Sequence, residues 1–183
     1  GAEPTLTTAM KSVGEVMALG RNFPECLQKA LRMLAIGSEG VLCSPLKFNN
    51  KDEVETNIRV ASPMRVFAIG EAFWKDYFTE QEVWEMSKID HWFLGQIKRI
   101  TDHAKKLHKA KKLEVDLVQE AKVLGFSDNE IARLTGSTFD KVRNLRKNST
   151  IQPVTKQIDT LAAEFPAQTN YLYMSYVGKL DDV

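Results

Sequence analysis

Phe93-Leu94-Gly95-Gln96-Ile97-Lys98-Arg99-Ile100-Thr101-Asp102-His103-Ala104-Lys105-Lys106-Leu107 decides the fold class. Phe93, Ile97, Ile100, Ala104 and Leu107 recur four and three apart, which places them on one stripe of an α-helix. The other faces and the residues that follow carry Lys98, Arg99, Lys105, Lys106, Lys109, Lys111 and Lys112, with only Asp102 against them. Such lysines are usually the solvated side of a helix whose opposite side is core. Gripping the phosphates of an anionic partner is the alternative.

Working outward, the helical pattern repeats on both sides. Leu117, Val118, Ala121 and Leu124 make a further helix stopped by Gly125, and Ser127 with Glu130, then Ser137 with Asp140, open two more across Gly136. Upstream, Thr79 with Glu82 forms a capping box before Val83, Trp84 and Met86. Ser62-Pro63 reads as a cap residue and a first-turn proline before Val66, Phe67, Gly70, Phe73 and Trp74, with Gly70 a point of close packing. Asn22 with Glu25 opens a helix through Leu27, Ala30, Leu31 and Leu34 that Gly37 and Gly40 end. Between Val41 and Ser62 no periodicity is sustained, and the stretch reads as a loop or linker. Residues 10–21, with glycines at 14 and 20, read as extended or turning. The tail after Pro153, with Tyr171, Tyr173 and Tyr176, reads as extended. The expected class is all-α, an irregular helical domain with extended N- and C-terminal segments.

Composition bounds the function. The chain has 183 residues, 25 Lys and Arg against 24 Asp and Glu, and 43% apolar residues; this is globular composition, and its balanced charge gives no reason to expect a polyanionic partner. Cys26 and Cys43 are too few for a disulfide scaffold, and no apolar run approaches the roughly 20 residues that span a bilayer. A non-membrane protein of a reducing compartment is therefore expected, and the start at Gly1-Ala2 suggests a piece of something larger.

The motifs are few. Ser127 to Asn148 is written as a helix-turn-helix, whose second helix would offer Lys141, Arg143, Asn144, Arg146 and Lys147 to phosphates and base edges. A helical hairpin with a wet basic face is the plainer account. His91, His103 and His108 lack i, i+4 spacing, and neither cysteine has a partner at ligand spacing, so metal binding is not expected. No phosphate-binding GxxxxGK loop or nucleophile elbow occurs. Glu15, among Val13, Val16, Met17 and Leu19, is either turned to solvent or buried against a partner. Asp159-Thr160-Leu161-Ala162-Ala163-Glu164 repeats the pattern, with small residues between two carboxylates.

Leu6-Thr7-Thr8-Ala9-Met10-Lys11-Ser12-Val13-Gly14-Glu15-Val16-Met17-Ala18, followed by Gln28-Lys29-Ala30-Leu31-Arg32, resembles the large subunit of carbamoyl phosphate synthetase where its first ATP-grasp half ends. Ile89-Asp90-His91-Trp92-Phe93-Leu94, Gly125-Phe126-Ser127-Asp128, Lys156-Gln157-Ile158-Asp159-Thr160-Leu161-Ala162-Ala163-Glu164 and Thr169-Asn170-Tyr171-Leu172-Tyr173 continue the likeness in order along nearly the whole chain. The last two blocks are worded like the eukaryotic members, in which the synthetase is part of a longer chain. His91 stands where the family commonly has Arg.

The resemblance implies a helical oligomerisation domain between two ATP-grasp halves, not itself catalytic. It divides the chain into 1–21, the tail of the first ATP-grasp (carboxyphosphate) domain; 22–62, a connecting helix and variable loop; and 63–183, the oligomerisation domain with an extended tail. The parent enzyme would use ATP and magnesium to join bicarbonate and ammonia, usually from glutamine, into carbamoyl phosphate for pyrimidine or arginine synthesis. In the family the block matching Met10, Val13 and Glu15 lines the carbamate tunnel, and the block around Thr160 to Glu164 lies near it. For this stretch the resemblance implies no cofactor, metal or catalytic residue of its own. It implies self-association and contact with the flanking ATP-grasp domains, and neither a nucleic-acid nor a membrane partner. The expected compartment is the cytoplasm or, alternatively, the mitochondrial matrix.

Overall fold

A computed structural model of the chain describes residue 3 and residues 5–12, 14–42, 44–110, 112–162, 164–166 and 169–183. Eight helices and one strand pair are found among them, in the order α1 (Phe23–Met33), α2 (Lys51–Arg59), α3 (Arg65–Trp74), α4 (Glu80–Ser87), α5 (His91–Lys109), α6 (Val115–Val123), α7 (Asp128–Thr135), α8 (Phe139–Asn148), β1 (Val154–Ile158) and β2 (Tyr171–Ser175). The molecule is predominantly helical, as expected.

The central element is α5. Leu94, Ile97, Ile100, Ala104 and Leu107 are all buried along its stripe, and it packs against α1, α3, α4, α6 and α7. Phe93, expected on the same stripe, stays partly open at the helix start beside Phe23 and Trp92. Around this axis α2 packs on α3 and α4, and α8 packs on α6 and α7. Gly70 of α3 does mark a close approach, because a Cβ there would collide with Val41.

Three local expectations are corrected. The supposed loop from Val41 to Ser62 contains α2, capped by the Asn50 side chain, which accepts from the Glu53 N–H at 2.9 Å. Val54 and Ile58 are its core face, four apart and fully buried; two apolar positions in a nine-residue polar helix leave little periodicity to detect. Pro63 is not in the first turn of α3. The Ser62 hydroxyl accepts from Met64 N and its carbonyl from Arg65 N, a tight turn that delays the helix to Arg65. The cap of α8 is Thr138 and not Ser137, whose N–H instead donates to the Ala132 carbonyl at the exit of α7.

Two non-helical arms lie on this body. Among the described residues of 5–21 there is no regular secondary structure, and the Leu6 N–H donates to the Ala61 carbonyl. The C-terminal arm is an antiparallel hairpin in which Val154 faces Ser175 and Ile158 faces Tyr171. Its tail returns along β1, where the Asp182 N–H donates to the Thr155 carbonyl and the Asp181 and Asp182 carboxylates accept from Thr155 N and Gln157 N.

Candidate interaction surface

The arms reach the helical body at polar joints set in apolar surroundings. At the first joint, Glu25 of α1 is only 1% exposed. Glu25 and Asn22 make half of the expected capping box: Asn22 Oδ1 accepts from Glu25 N at 2.9 Å, but the Glu25 carboxylate bonds Arg21 N, at 2.8 Å. The same oxygen accepts from the Ser175 hydroxyl at 3.0 Å, and the other pairs with Lys29 at 2.8 Å.

The second joint is centred on Asp128, 7% exposed. Arg146 grips it through Nε at 2.9 and 3.0 Å and through Nη2 at 2.6 Å, and Lys122 approaches to 3.0 Å. Burial by itself would raise the Asp128 pKa, but the Arg146 hydrogen bonds and the Lys122 charge bring it below the usual carboxylate range. Burial pushes the Lys122 ammonium down, with Asp128 opposing. The Tyr176 ring, just past β2, lies 4.8 Å from Lys122 Nζ and 5.6 Å from the Arg146 guanidinium carbon, a cation–π contact that seats the hairpin. A cavity of about 440 Å³ beside this joint is bordered by Arg32, Lys122, Phe126, Asp128, Phe139 and Tyr176. Its cations are already engaged: Lys122 with Asp128, Arg32 with the Gly125 carbonyl at 2.7 Å, and Lys29 with Glu25.

Apolar side chains stay open along the arms. Met10 is 91% exposed, Met17 75% and Met174 57%. Met17, Leu19, Met33, Tyr173 and Met174 line a groove of about 400 Å³ with Lys29 at its edge. A second open cluster is aromatic: Phe23, Trp92 and Phe93 meet edge to face with centroids 5.0–5.5 Å apart, and Trp92 is 54% exposed. Rigid aromatic anchors and adaptable methionines are the side chains that protein interfaces favour. Trp74 and Trp84 are half-buried against the core.

The residues singled out for the tunnel wall lie on the arms. Met10, Glu15, Thr160 and Glu164 are exposed, and Val13 lies outside the described residues. Glu15 is exposed in this chain.

The histidines are apart in role. His91 donates from Nδ1 to Glu80 at 3.1 Å and stacks on Trp84. His103 is buried and donates from Nε2 to the Leu117 carbonyl at 2.9 Å; burial lowers its pKa, against that bond and the Glu120 charge. His108 donates to the Leu134 carbonyl. Among the described residues no group of three or more His, Cys, Asp or Glu side chains could hold a metal ion. The Cys26 thiol is pushed up by burial and by Glu25, which favours its protonated form.

On the basic face of α5, Lys98 pairs with Asp102, Lys105 with Asp76 and Lys106 with Glu120; Lys111 lies outside the described residues. In the α7–α8 pair, Arg146, one of the candidate DNA-contacting donors, is committed to Asp128. Lys141, Arg143, Asn144 and Lys147 remain an exposed polar face, and the nucleic-acid alternative gains no support. No helix among the described residues is long and apolar enough to cross a membrane. Sequence reasoning missed both joints. Their members lie far apart in the chain, and only the Asn22–Glu25 cap gave a local sign of one.

A helical body that carries two extended arms and leaves aromatic and methionine side chains uncovered defines an interaction domain. Residues 15–150 match the family model for the carbamoyl-phosphate synthetase large chain, oligomerisation domain, and the chain belongs to that family. It is 46% identical to the carbamoyl phosphate synthase large chain of Hyperthermus butylicus, over 100% of this chain and 17% of that protein. The multifunctional protein URA2 of Saccharomyces cerevisiae is 43% identical over 97% of this chain and 8% of its own length. In Aquifex aeolicus the N-terminal section of the large chain is 45% identical over 96% of this chain and 31% of its own. The chain thus spans about a sixth of the large chain of H. butylicus.

Proposed function

We propose that this chain connects the two ATP-grasp halves of a carbamoyl phosphate synthetase, self-associates through its open aromatic cluster and lends its arms to the carbamate path. The parent reaction consumes bicarbonate, ammonia or glutamine nitrogen and two ATP, with magnesium bound outside this stretch, for pyrimidine or arginine synthesis in the cytoplasm or the mitochondrial matrix. Residues 1–21 are assigned to the end of the first ATP-grasp half, 22–62 to the connection and 63–183 to the oligomerisation domain with its tail.

The exposure of Met10 and Met17 on the N-terminal arm carries this reading. Large apolar side chains held open on an arm are what a docking partner would cover. Carboxyphosphate and carbamate decompose in water, so their path needs walls that exclude it. Met10, Val13 and Glu15 would line the path, with Thr160 and Glu164 near it.

Two experiments test the reading. Light scattering across a concentration series should show a concentration-dependent dimer that Trp92→Ser abolishes; a monomer throughout would defeat self-association by this domain. In the intact synthetase, Glu15→Ala should uncouple ATP use from carbamoyl phosphate formation, and unchanged coupling would defeat the tunnel role.

A further inference from the structure

Lys29 lies one helical turn after Glu25 on α1, in a stretch the family likeness covers without giving it a task. Its ammonium has three N–H donors, and each meets an acceptor on a different segment: the Leu19 carbonyl of the N-terminal arm at 2.8 Å, Glu25 Oε1 of α1 at 2.8 Å and the Met174 carbonyl of β2 at 2.7 Å. Glu25 mirrors this arrangement, because its Oε2 accepts from Arg21 N at the end of the same arm and from the Ser175 hydroxyl of the same strand. The pair therefore makes two bonds to each arm. Elsewhere the arms reach the body separately, the first through Leu6 on Ala61 and the second through Tyr176 on Lys122 and Arg146.

An ordinary i, i+4 pair on a helix surface holds two side chains together and contributes little, about 0.3–0.5 kcal/mol. Here the Glu25 side chain is almost fully buried, and the Lys29 side chain, counted over its whole length, is three-quarters so. Losing a partner on one side leaves a desolvated charge under-satisfied and weakens its hold on the other side. That is the physical content of coupling between two segments.

We propose that Lys29, through Glu25, is a positioning residue that clasps the N-terminal arm to the C-terminal hairpin, so that displacement of one arm is felt by the other. This rests on the connector function proposed above: one arm then continues from the first ATP-grasp half and the other leads to the second. The clasp would then be a mechanical link between the two halves through this domain.

Hydrogen exchange on the chain tests the clasp. Lys29→Met should speed exchange of the Arg21 amide and of amides in 171–176 together, on the order of tenfold, with α3 and α5 keeping their protection. Ser175→Ala is the milder variant. It removes the hydroxyl's bond to Glu25 and its local bond from Val177 N, and neither involves the N-terminal arm, yet it should quicken exchange of the Arg21 amide. Faster exchange near the altered residue alone, or in neither arm, overturns the clasp. If Lys29→Met unfolds the whole chain, the Ser175→Ala result decides.

In the full-length synthetase, Lys29→Met should raise the ATP consumed per carbamoyl phosphate with the KM for ATP unchanged. An unchanged ratio with both arms loosened would overturn the mechanical link and leave the connector reading standing. A wild-type full-length protein that makes no carbamoyl phosphate would defeat that reading, while the exchange result would still judge the clasp.

Discussion

Asp128 holds Lys122, Arg146 and, through their contact with Tyr176, the root of the hairpin. Asp128→Ala would leave the Lys122 ammonium, itself 7% exposed, without its counter-charge. Breaking one side of a buried pair costs about 3–5 kcal/mol, so chemical denaturation should show a loss of that order. Replacing the pair by apolar residues of similar size, Asp128→Leu with Lys122→Met, should cost less than the single change. The pH dependence has a definite sign. The folded-state pKa of Asp128 lies below its ordinary 3.8, so its stabilising contribution is fully present above that value and is lost as pH falls below it. Stability measured from about pH 5 down to about pH 2 should fall less steeply in Asp128→Asn than in the parent chain.

At the scale of elements, the turns that connect the helices differ in how tightly the fold holds them. Gly125 follows α6 with φ of +86°, and a Cβ there would stand 2.8 Å from the Glu25 Cα. Gly136 caps α7 with φ of +63° and has nothing within 4 Å of a built Cβ. Both positions need the left-handed conformation, but Gly125 also lets α1 approach the turn. Gly136→Ala should cost about 1 kcal/mol, and Gly125→Ala clearly more, about 2–3 kcal/mol. Equal Tm losses in the two variants would contradict the close approach.

The elements also show what was readable locally. The α5 stripe, the Thr79–Glu82 box and the Ser127 cap depend on residues within one or two turns, and the fold keeps them. The Ser62-Pro63 start fails because the Ser62 hydroxyl serves a turn, and the Ser137 start because the backbone N–H of Ser137 closes the exit of α7. For α2 the cap at Asn50 was legible in principle, but two buried positions are too few to distinguish a short helix from a loop.

At the scale of the whole molecule, one core runs from Leu31 of α1 through Val41, Val54 and Ile58 to Val142 and Ile151. Residues on both sides of position 62 contribute to it, so they should melt together. Thermal unfolding followed by tryptophan fluorescence and by far-ultraviolet circular dichroism should give coincident single transitions. Separated transitions would mean that residues 22–62 form an independent layer.

Sequence alone determined the helical class, because the period of apolar residues is written into most of the helices and survives any packing around them. It also carried the likeness to the carbamoyl phosphate synthetase large chain through ordered blocks along the chain. Tertiary structure decided which residues join the arms to the body. Glu25 and Lys29 are a local i, i+4 pair, but nothing local points to Leu19, Arg21, Met174 or Ser175, which meet the pair because side chains of α1 reach both the N-terminal arm and β2. Hydrogen bonds from a buried charge depend on positions in space, whereas periodicity along the chain reports only which face of an element avoids water.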